Sequence, residues 1–263
     1  MSATNFKEAA EFIHNDLRLK TFPVAAKFLK SAADFPEKTR QPSKVLGKKV
    51  ALCQAVTMAR NYGWTVGLTR EDVICVPAAV MFGLSDSENP PETLTRLFCE
   101  VNFSRDEEAA KRETQSMNWL QKGEFPALVV SPLQRASFEP DTVVVYGNAA
   151  QIMRLTQAWS YMTGERVSGH FGGKVECDEY LIGPFRKQAP CVVNPGNGER
   201  IFAGTQDDEM VFALPGKAVP GLIQGLQEVG KAMGVRYPVT PYLNFQPDFP
   251  KAHKALGKEV GIA

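Results

Sequence analysis

"DTVVVYGNAAQIMRLTQAWSYMTG", residues 141–164, predicts a strand that leads directly into a helix. Three valines and Tyr146 form a β-branched and aromatic run, which is typical of a strand buried in a sheet. Asn148 follows as a helix-capping residue, and Gly164 ends the helical periodicity. Large apolar residues recur between these two positions at spacings of three and four, so this helix has one apolar face. The stretch is one α/β unit.

The rest of the chain supplies more elements of both kinds. "FPVAAKFLK" (22–30) and "ALVVSPL" (127–133) read as strands, "VALCQAVTMARNYG" (50–63) reads as a buried helix, and residues 105–123 read as a charged helix ending at Gly123. Residues 85–105 read as a turn-rich connection. The predicted fold is therefore α/β, with α+β as the alternative.

The length allows one large domain over residues 1–263 or two packed lobes, 1–122 and 123–263. Two peptides, "ICVPAAVMFG" (74–83) and "PCVVNPGNGERIFAG" (190–204), each place a cysteine near a proline and before a glycine-containing turn. This similarity suggests a degenerate internal repeat that relates the two halves.

The overall charge argues against two classes of partner. Thirty lysines and arginines stand against 29 aspartates and glutamates, which gives a formal net charge of +1. Because no field of one sign surrounds such a chain, we expect neither nucleic acid nor an anionic membrane as a partner. A homo-oligomer is compatible with this composition.

The N-terminal sequence predicts a cytoplasmic protein. Charged residues at positions 7, 8, 11 and 16 interrupt any run long enough for a signal peptide, and no later segment approaches the about 20 apolar residues of a membrane span. The five cysteines are an odd number in a compartment that we expect to be reducing, so no disulfide framework is predicted. Cys99, in "RLFCEVNF", is expected to belong to the core.

Five blocks of sequence resemble the uncharacterised DUF169 family of bacterial and archaeal proteins. They are "LCQAVTMAR", "DVICVPAAVMFGL", "DTVVVYGNAAQIMRLTQA", "APCVVNPGNGERIFAG" and "VRYPVTPYLNFQP". The resemblance implies a cytoplasmic α/β protein typical of anaerobes and leaves its chemistry open. It also implies that the family's cysteine blocks correspond to Cys53, Cys75, Cys177 and Cys191, and that its glycine-arginine turn corresponds to Gly198 and Arg200.

These four cysteines form the main candidate site. Cys53 lies in the first turn of a predicted helix, where the positive end of the helix dipole favours a thiolate. If the two halves pack together, Cys53 and Cys75 meet Cys177 and Cys191, and four thiolates would hold an iron–sulfur cluster or another thiophilic metal. The spacings are not those of a zinc knuckle or a ferredoxin. Inert packing cysteines and a reactive cysteine therefore stay open as alternatives.

Three further residues are candidate ligand contacts. Arg200 follows the turns of "NPGNGE", so it could clamp a carboxylate or a phosphate, although a surface salt bridge on a plain hairpin explains it equally well. Lys27 is a second candidate anion contact or a lysine on the outer face of an edge strand. His170, in "SGHFGGK", is a candidate ligand or general acid/base, or a loop histidine without a role.

The resulting hypothesis is a protein that binds an iron–sulfur cluster or thiophilic metal through Cys53, Cys75, Cys177 and Cys191, with Arg200 holding an anionic ligand beside it. The alternative is a binding protein or enzyme for a small carboxylate or phosphate, in which the cysteines only pack. A third reading is a subunit that modulates a larger complex. The pattern is compatible with an enzyme and with a protein that only binds.

Overall fold

One six-stranded sheet forms the centre of the molecule, which the computed structural model describes for residues 3–231 and 248–262. The strands are β1 (Val24–Leu29), β2 (Val66–Thr69), β3 (Ala127–Pro132), β4 (Thr142–Gly147), β5 (Cys191–Val193) and β6 (Met210–Pro215). Their order is β2-β3-β1-β4-β6-β5, and each neighbouring pair is antiparallel. Val24 of β1 lies opposite Pro132 of β3 and Val144 of β4, so β1 is an internal strand.

Helices occupy much of the remaining described chain. They are α1 (Ala3–Leu17), α2 (Pro42–Val45), α3 (Leu52–Tyr62), α4 (Val76–Met81), α5 (Pro90–Glu100), α6 (Glu107–Ser116), α7 (Ala149–Thr163), α8 (Gly183–Lys187), α9 (Asn197–Ala203), α10 (Val219–Glu228) and α11 (Lys251–Glu259). A π-helical turn, Asp178–Ile182, leads into α8. In these described ranges, no helix combines the length and apolar character that crossing a bilayer requires.

Both faces of the sheet are covered by helices. Alternate residues of β4 enter different cores: Val143 and Val145 pack with α1, α7 and α10, whereas Val144 and Tyr146 pack with α3, α4 and the π-helical turn. A strand between two apolar layers has no polar face, which explains the unbroken valine run of β4.

The central α/β prediction is confirmed in its local detail. The Asn148 side chain accepts a hydrogen bond from the backbone N–H of Gln151 at 3.0 Å, as a helix cap should. Gly164 ends α7 in the left-handed region with φ of +74°, where a residue without a Cβ is favoured. The mixed α/β class follows from this helix-covered sheet.

Two sequence-based assignments need correction. Residues 85–105 contain α5, because the two prolines of its first turn occupy positions that need no helical N–H donor and so begin the helix instead of breaking it. The charged helix, α6, ends at Ser116 and does not continue to Gly123.

Strands from both halves of the chain interleave in the one sheet, since β3 lies between β2 and β1. The two peptides of the suggested repeat also differ locally: Cys75 precedes helix α4, whereas Cys191 begins strand β5. The division into lobes at residue 122 stays a prediction. The aromatic and proline-rich tail, residues 235–249, falls mostly outside the described residues.

A buried ion pair joins α3 to the residue before β6. The Arg60 guanidinium, only 1% exposed, donates to both carboxylate oxygens of Glu209 at 2.7 and 3.0 Å and lies 3.9 Å from the centre of the Tyr146 ring. Two parallel hydrogen bonds and a π face together compensate the loss of water around the guanidinium. The pair ties α3, whose first turn contains Cys53, to the sheet.

Replacing Glu209 by glutamine should destabilise the fold by about 3–5 kcal/mol, because the Arg60 charge would stay buried without a counterion. Urea unfolding at neutral pH measures the change. Asp208→Asn is the matched control, since Asp208 meets Lys20 at 3.2 Å in an exposed pair and should change stability by less than about 1 kcal/mol. Equal losses in the two variants would contradict this role for the buried pair.

Candidate functional site

Three of the four cysteines that were predicted to form a site line one cavity of about 470 Å³, here named the thiol cavity. Cys53 lies in the first turn of α3, Cys75 directly before α4, and Cys177 directly before the π-helical turn. Three ends of helical elements, distant in sequence, thus direct sulfur atoms into one space. The structure thus brings three of the four cysteines to one cavity, and their role as metal ligands stays a prediction.

Cys191 lies apart from the thiol cavity. It is the first residue of β5, and its thiol donates to the backbone carbonyl of Glu179 at 3.2 Å. The residue is buried under the π-helical turn and is not part of the cavity lining. Four cysteines therefore do not converge, because a strand residue packed under that turn is separated from the helix starts that form the cavity.

The wall of the thiol cavity is predominantly apolar. Six large side chains of the lining are also exposed to solvent, although such residues usually prefer burial: Ile74, Val76, Val101, Phe103, Ile201 and Phe202. An apolar opening that leads to an apolar interior is typical of a small-molecule site.

Glu199 is the single carboxylic acid among the described residues that line this cavity. Its Oε2 accepts a hydrogen bond from the Gly196 backbone N–H at 3.1 Å, and its Oε1 accepts one from the Tyr180 hydroxyl at 3.4 Å. Burial raises the pKa of Glu199 above its ordinary value, and its hydrogen bonds only partly oppose this effect. Its protonated form is thus more accessible than that of an exposed glutamate, and in that form the group can both donate and accept a hydrogen bond.

Burial also keeps the thiols protonated. It raises the pKa of Cys53 to about 12, with the nearby charges of Glu199 and Cys75 as smaller causes. The pKa values of Cys75 and Cys177 are raised for the same main reason. The expectation that the α3 dipole favours a thiolate at Cys53 is therefore wrong, since the loss of hydration outweighs the helix end.

No three histidine, cysteine, aspartate or glutamate side chains within the described residues form a group arranged to hold a metal ion. The three thiols share the cavity, and a thiolate at Cys75 would raise the pKa values of both Cys53 and Cys177. A shared metal would require these side chains to move closer together.

The three other candidate residues do not line the thiol cavity. Arg200 donates to the Asn194 side-chain oxygen at 3.0 Å and to the Gln206 carbonyl, so its guanidinium braces the chain around α9. Lys27 lies on an internal strand, not on an edge strand, and donates to the Glu139 carbonyl at 2.9 Å. His170 faces Glu179 at 3.8 Å in a separate cavity.

Sequence reasoning missed Glu199, which adjoins the predicted Arg200. A signal was present: an acidic residue in the first turn of a helix that follows glycine is positioned to accept a hydrogen bond from the backbone before the helix. The same reasoning missed Tyr180, because its hydroxyl points at Glu199 only through the turn geometry of residues 178–182.

The chain is similar to a family of proteins without an assigned activity. The model of DUF169, described as uncharacterised ArCR, COG2043, matches residues 13–225. An uncharacterised protein of Methanocaldococcus jannaschii, MJ0308, is 27% identical over 230 residues, which cover 86% of this chain and 96% of that protein. No solved structure matches the chain. Because the family model spans well over half of its residues, the chain belongs to the DUF169 family.

Proposed function

We propose that the protein binds a small, largely apolar molecule in the thiol cavity, with one polar group of that molecule hydrogen-bonded to Glu199. The observation that carries the proposal is an apolar cavity of about 470 Å³ with a single buried carboxyl group. Pockets of this size and character, with few convergent polar groups, are the usual form of small-molecule sites.

The charges of the lining narrow the ligand class. No lysine, arginine or histidine belongs to the described lining, so nothing there compensates a carboxylate or phosphate. A neutral molecule whose polar atom accepts a hydrogen bond from protonated Glu199, or donates one to its carbonyl oxygen, fits better. The anionic ligand expected beside Arg200 is disfavoured in this cavity.

Protonated Glu199 also gives the cavity a proton to donate. A buried carboxylic acid with a raised pKa is the kind of group that serves as a general acid. The neutral thiols, by contrast, are poor nucleophiles, because the thiolate is the reactive form of cysteine. If the protein turns its ligand over, acid catalysis by Glu199 is the step that the cavity supports.

N-phenyl-1-naphthylamine, a neutral apolar amine whose fluorescence rises in apolar surroundings, serves as the binding probe. Cys75→Phe should weaken its binding by about tenfold or more, because the added ring would occupy cavity volume. Cys99→Phe is the matched control, since Cys99 is a similarly half-buried cysteine outside the lining. Circular dichroism verifies that both variants fold. Equal titration curves for both would refute binding in the thiol cavity.

The protonation of Glu199 has its own test. A carboxyl whose pKa is raised by folding contributes stability below its unfolded-state pKa and loses that contribution as pH rises through the folded-state value. Wild type should therefore lose more stability than Glu199→Gln between pH 4 and pH 9, measured by urea unfolding. Glu165→Gln, at an exposed position, controls for the loss of a carboxylate. A stability difference between wild type and Glu199→Gln that does not change with pH would count against a protonated Glu199.

A thiophilic metal or an iron–sulfur cluster is the second candidate ligand. It is favoured by one observation, that Cys53, Cys75 and Cys177 line the same cavity. Soft metals prefer thiolate ligands, so binding would require each raised-pKa thiol to release its proton. Cys191 would not take part, since it lies outside the lining.

Titration with Cd²⁺ under anaerobic conditions separates the two candidates. A metal site should show thiolate-to-metal absorbance and release one proton for each thiol that becomes a ligand, and Cys177→Ser should abolish both signals while Cys191→Ser keeps them. A brown colour after reconstitution with iron and sulfide would indicate a cluster. Absence of all these signals would leave the apolar ligand as the supported occupant.

A further inference from the structure

The balanced overall charge of the chain conceals one strongly cationic stretch. Residues 38–49, "KTRQPSKVLGKK", carry five lysine and arginine side chains and no acid. The second half, residues 44–49, is exposed at six consecutive positions, and we name it the basic segment. Its lysines, Lys44, Lys48 and Lys49, form no ion pair with any residue that the structure describes. Their charges are therefore available to an anionic partner.

Two exposed aliphatic side chains lie among these lysines. Val45 is 52% exposed and Leu46 is 43% exposed, although both residues are apolar. The base of the segment is fixed, because the backbone N–H and the hydroxyl of Ser43 donate to Oδ1 of the buried Asp72 at 3.0 and 2.6 Å. Gly47, with φ of +62°, turns the chain directly after them. The fold thus holds both aliphatic side chains out in the solvent.

The basic segment adjoins the apolar opening of the thiol cavity. It leads through Val50 to Ala51, which belongs to the cavity lining, and the Ile74 N–H donates to the Val50 carbonyl at 3.0 Å. Helix α9 packs beside the start of α3, where the Gln54 side chain donates to the Phe202 carbonyl at 3.2 Å. The exposed side chains of Ile74 and Phe202 therefore surround the same end of α3 as the basic segment. This end of the helix presents lysines and apolar side chains together.

We propose that this surface, formed by the basic segment and the apolar rim of the thiol cavity, docks on an anionic lipid bilayer. The lysines lie at the headgroups, and Val45 and Leu46 insert at the boundary of the acyl chains. Binding at a membrane surface increases with the apolar area that is inserted and with the attraction of lysines to anionic lipids, and this surface supplies both. The docking does not depend on the ligand proposed for the thiol cavity.

The same chemistry disfavours two other occupants. A single-stranded nucleic acid stacks its bases on aromatic side chains, and the basic segment contains aliphatic residues but no aromatic one. A second copy of this chain, related by a two-fold axis, would bring the lysines of both copies together, and like charges that face each other oppose association. A lipid surface meets the positive charges and the aliphatic side chains at once.

Co-sedimentation of the full chain with vesicles tests the proposal. Vesicles of phosphatidylcholine mixed with an equal part of phosphatidylglycerol should bind the protein at least about tenfold more strongly than vesicles of pure phosphatidylcholine. The variant Lys44→Gln/Lys48→Gln/Lys49→Gln should lose this preference, because the attraction to the anionic headgroups is removed. Equal binding of the wild type to both kinds of vesicle would overturn the proposal.

The matched control removes the same charge from another exposed part of the chain. Helix α11 carries three exposed lysines, and the control variant is Lys251→Gln/Lys254→Gln/Lys258→Gln. It should bind the mixed vesicles as the wild type does. An equal loss of binding in the two triple variants would show that net charge, and not the basic segment, determines binding, and would contradict the proposal.

Insertion of the aliphatic side chains has its own test. Leu46→Ser should weaken binding to the mixed vesicles severalfold, whereas Leu256→Ser, at an exposed leucine of α11, should not. Circular dichroism verifies that both variants fold, and equal binding by both would contradict insertion. If no vesicles bind, retardation of a single-stranded RNA would assign the lysines to a nucleic acid, and a dimer that Leu46→Ser dissociates would assign the surface to a second copy. Either result would overturn the proposal.

Discussion

One face of the sheet packs with α3, α4 and the π-helical turn, and the burial of polar side chains on this face governs the chemistry of the protein. Where a buried charge meets a bidentate counterion and an aromatic face, as Arg60 does with Glu209 and the Tyr146 ring, the pair can tie a helix to the sheet. Where hydrogen bonds oppose the effect of burial only in part, the pKa of the acid is raised, as it is for Glu199, Glu176 and Asp178. The same physical cost thus gives one structural ion pair and several acids available to a ligand.

The thiol cavity shares a backbone junction with the separate cavity in which His170 faces Glu179. The Gly173 carbonyl, in the loop held by Glu176, accepts a hydrogen bond from the Asn197 N–H at 2.9 Å, and the neighbouring Gly196 N–H donates to Glu199. A Cβ at Gly196 would lie 2.8 Å from the Gly173 backbone, so the two segments can approach this closely only with glycine there. One acid from each cavity therefore fixes one side of the same contact, and the close approach explains the glycine at position 196.

Sequence patterns correctly predicted those helix ends and caps that depend only on neighbouring residues in the chain. The cap at Asn148, the end of α7 at Gly164 and the start of α3 near Cys53 depend on neighbours in the chain, and the structure reproduces them. The position of Cys191 depends on the register of β5 against β6, which a single sequence does not reveal. Likewise, the acids of "VECDEYL" become a cavity wall only because a π-helical turn brings consecutive residues inward. Spacing rules based on ordinary helices and strands do not describe that turn.

The burial of the three thiols, which raises their pKa values, bears on which ligand suits the thiol cavity. A metal would have to remove protons from thiols whose pKa values are raised by burial. An apolar molecule has no such cost, since it contacts the carbon and sulfur surface of the cavity without any proton having to leave. Cysteine is well suited to such a wall, because it is small, polarizable and able to stay neutral. The convergence of Cys53, Cys75 and Cys177 is therefore compatible with a pocket that selects its ligand by shape and by one hydrogen bond to Glu199, and a metal must be strongly thiophilic to compete for it.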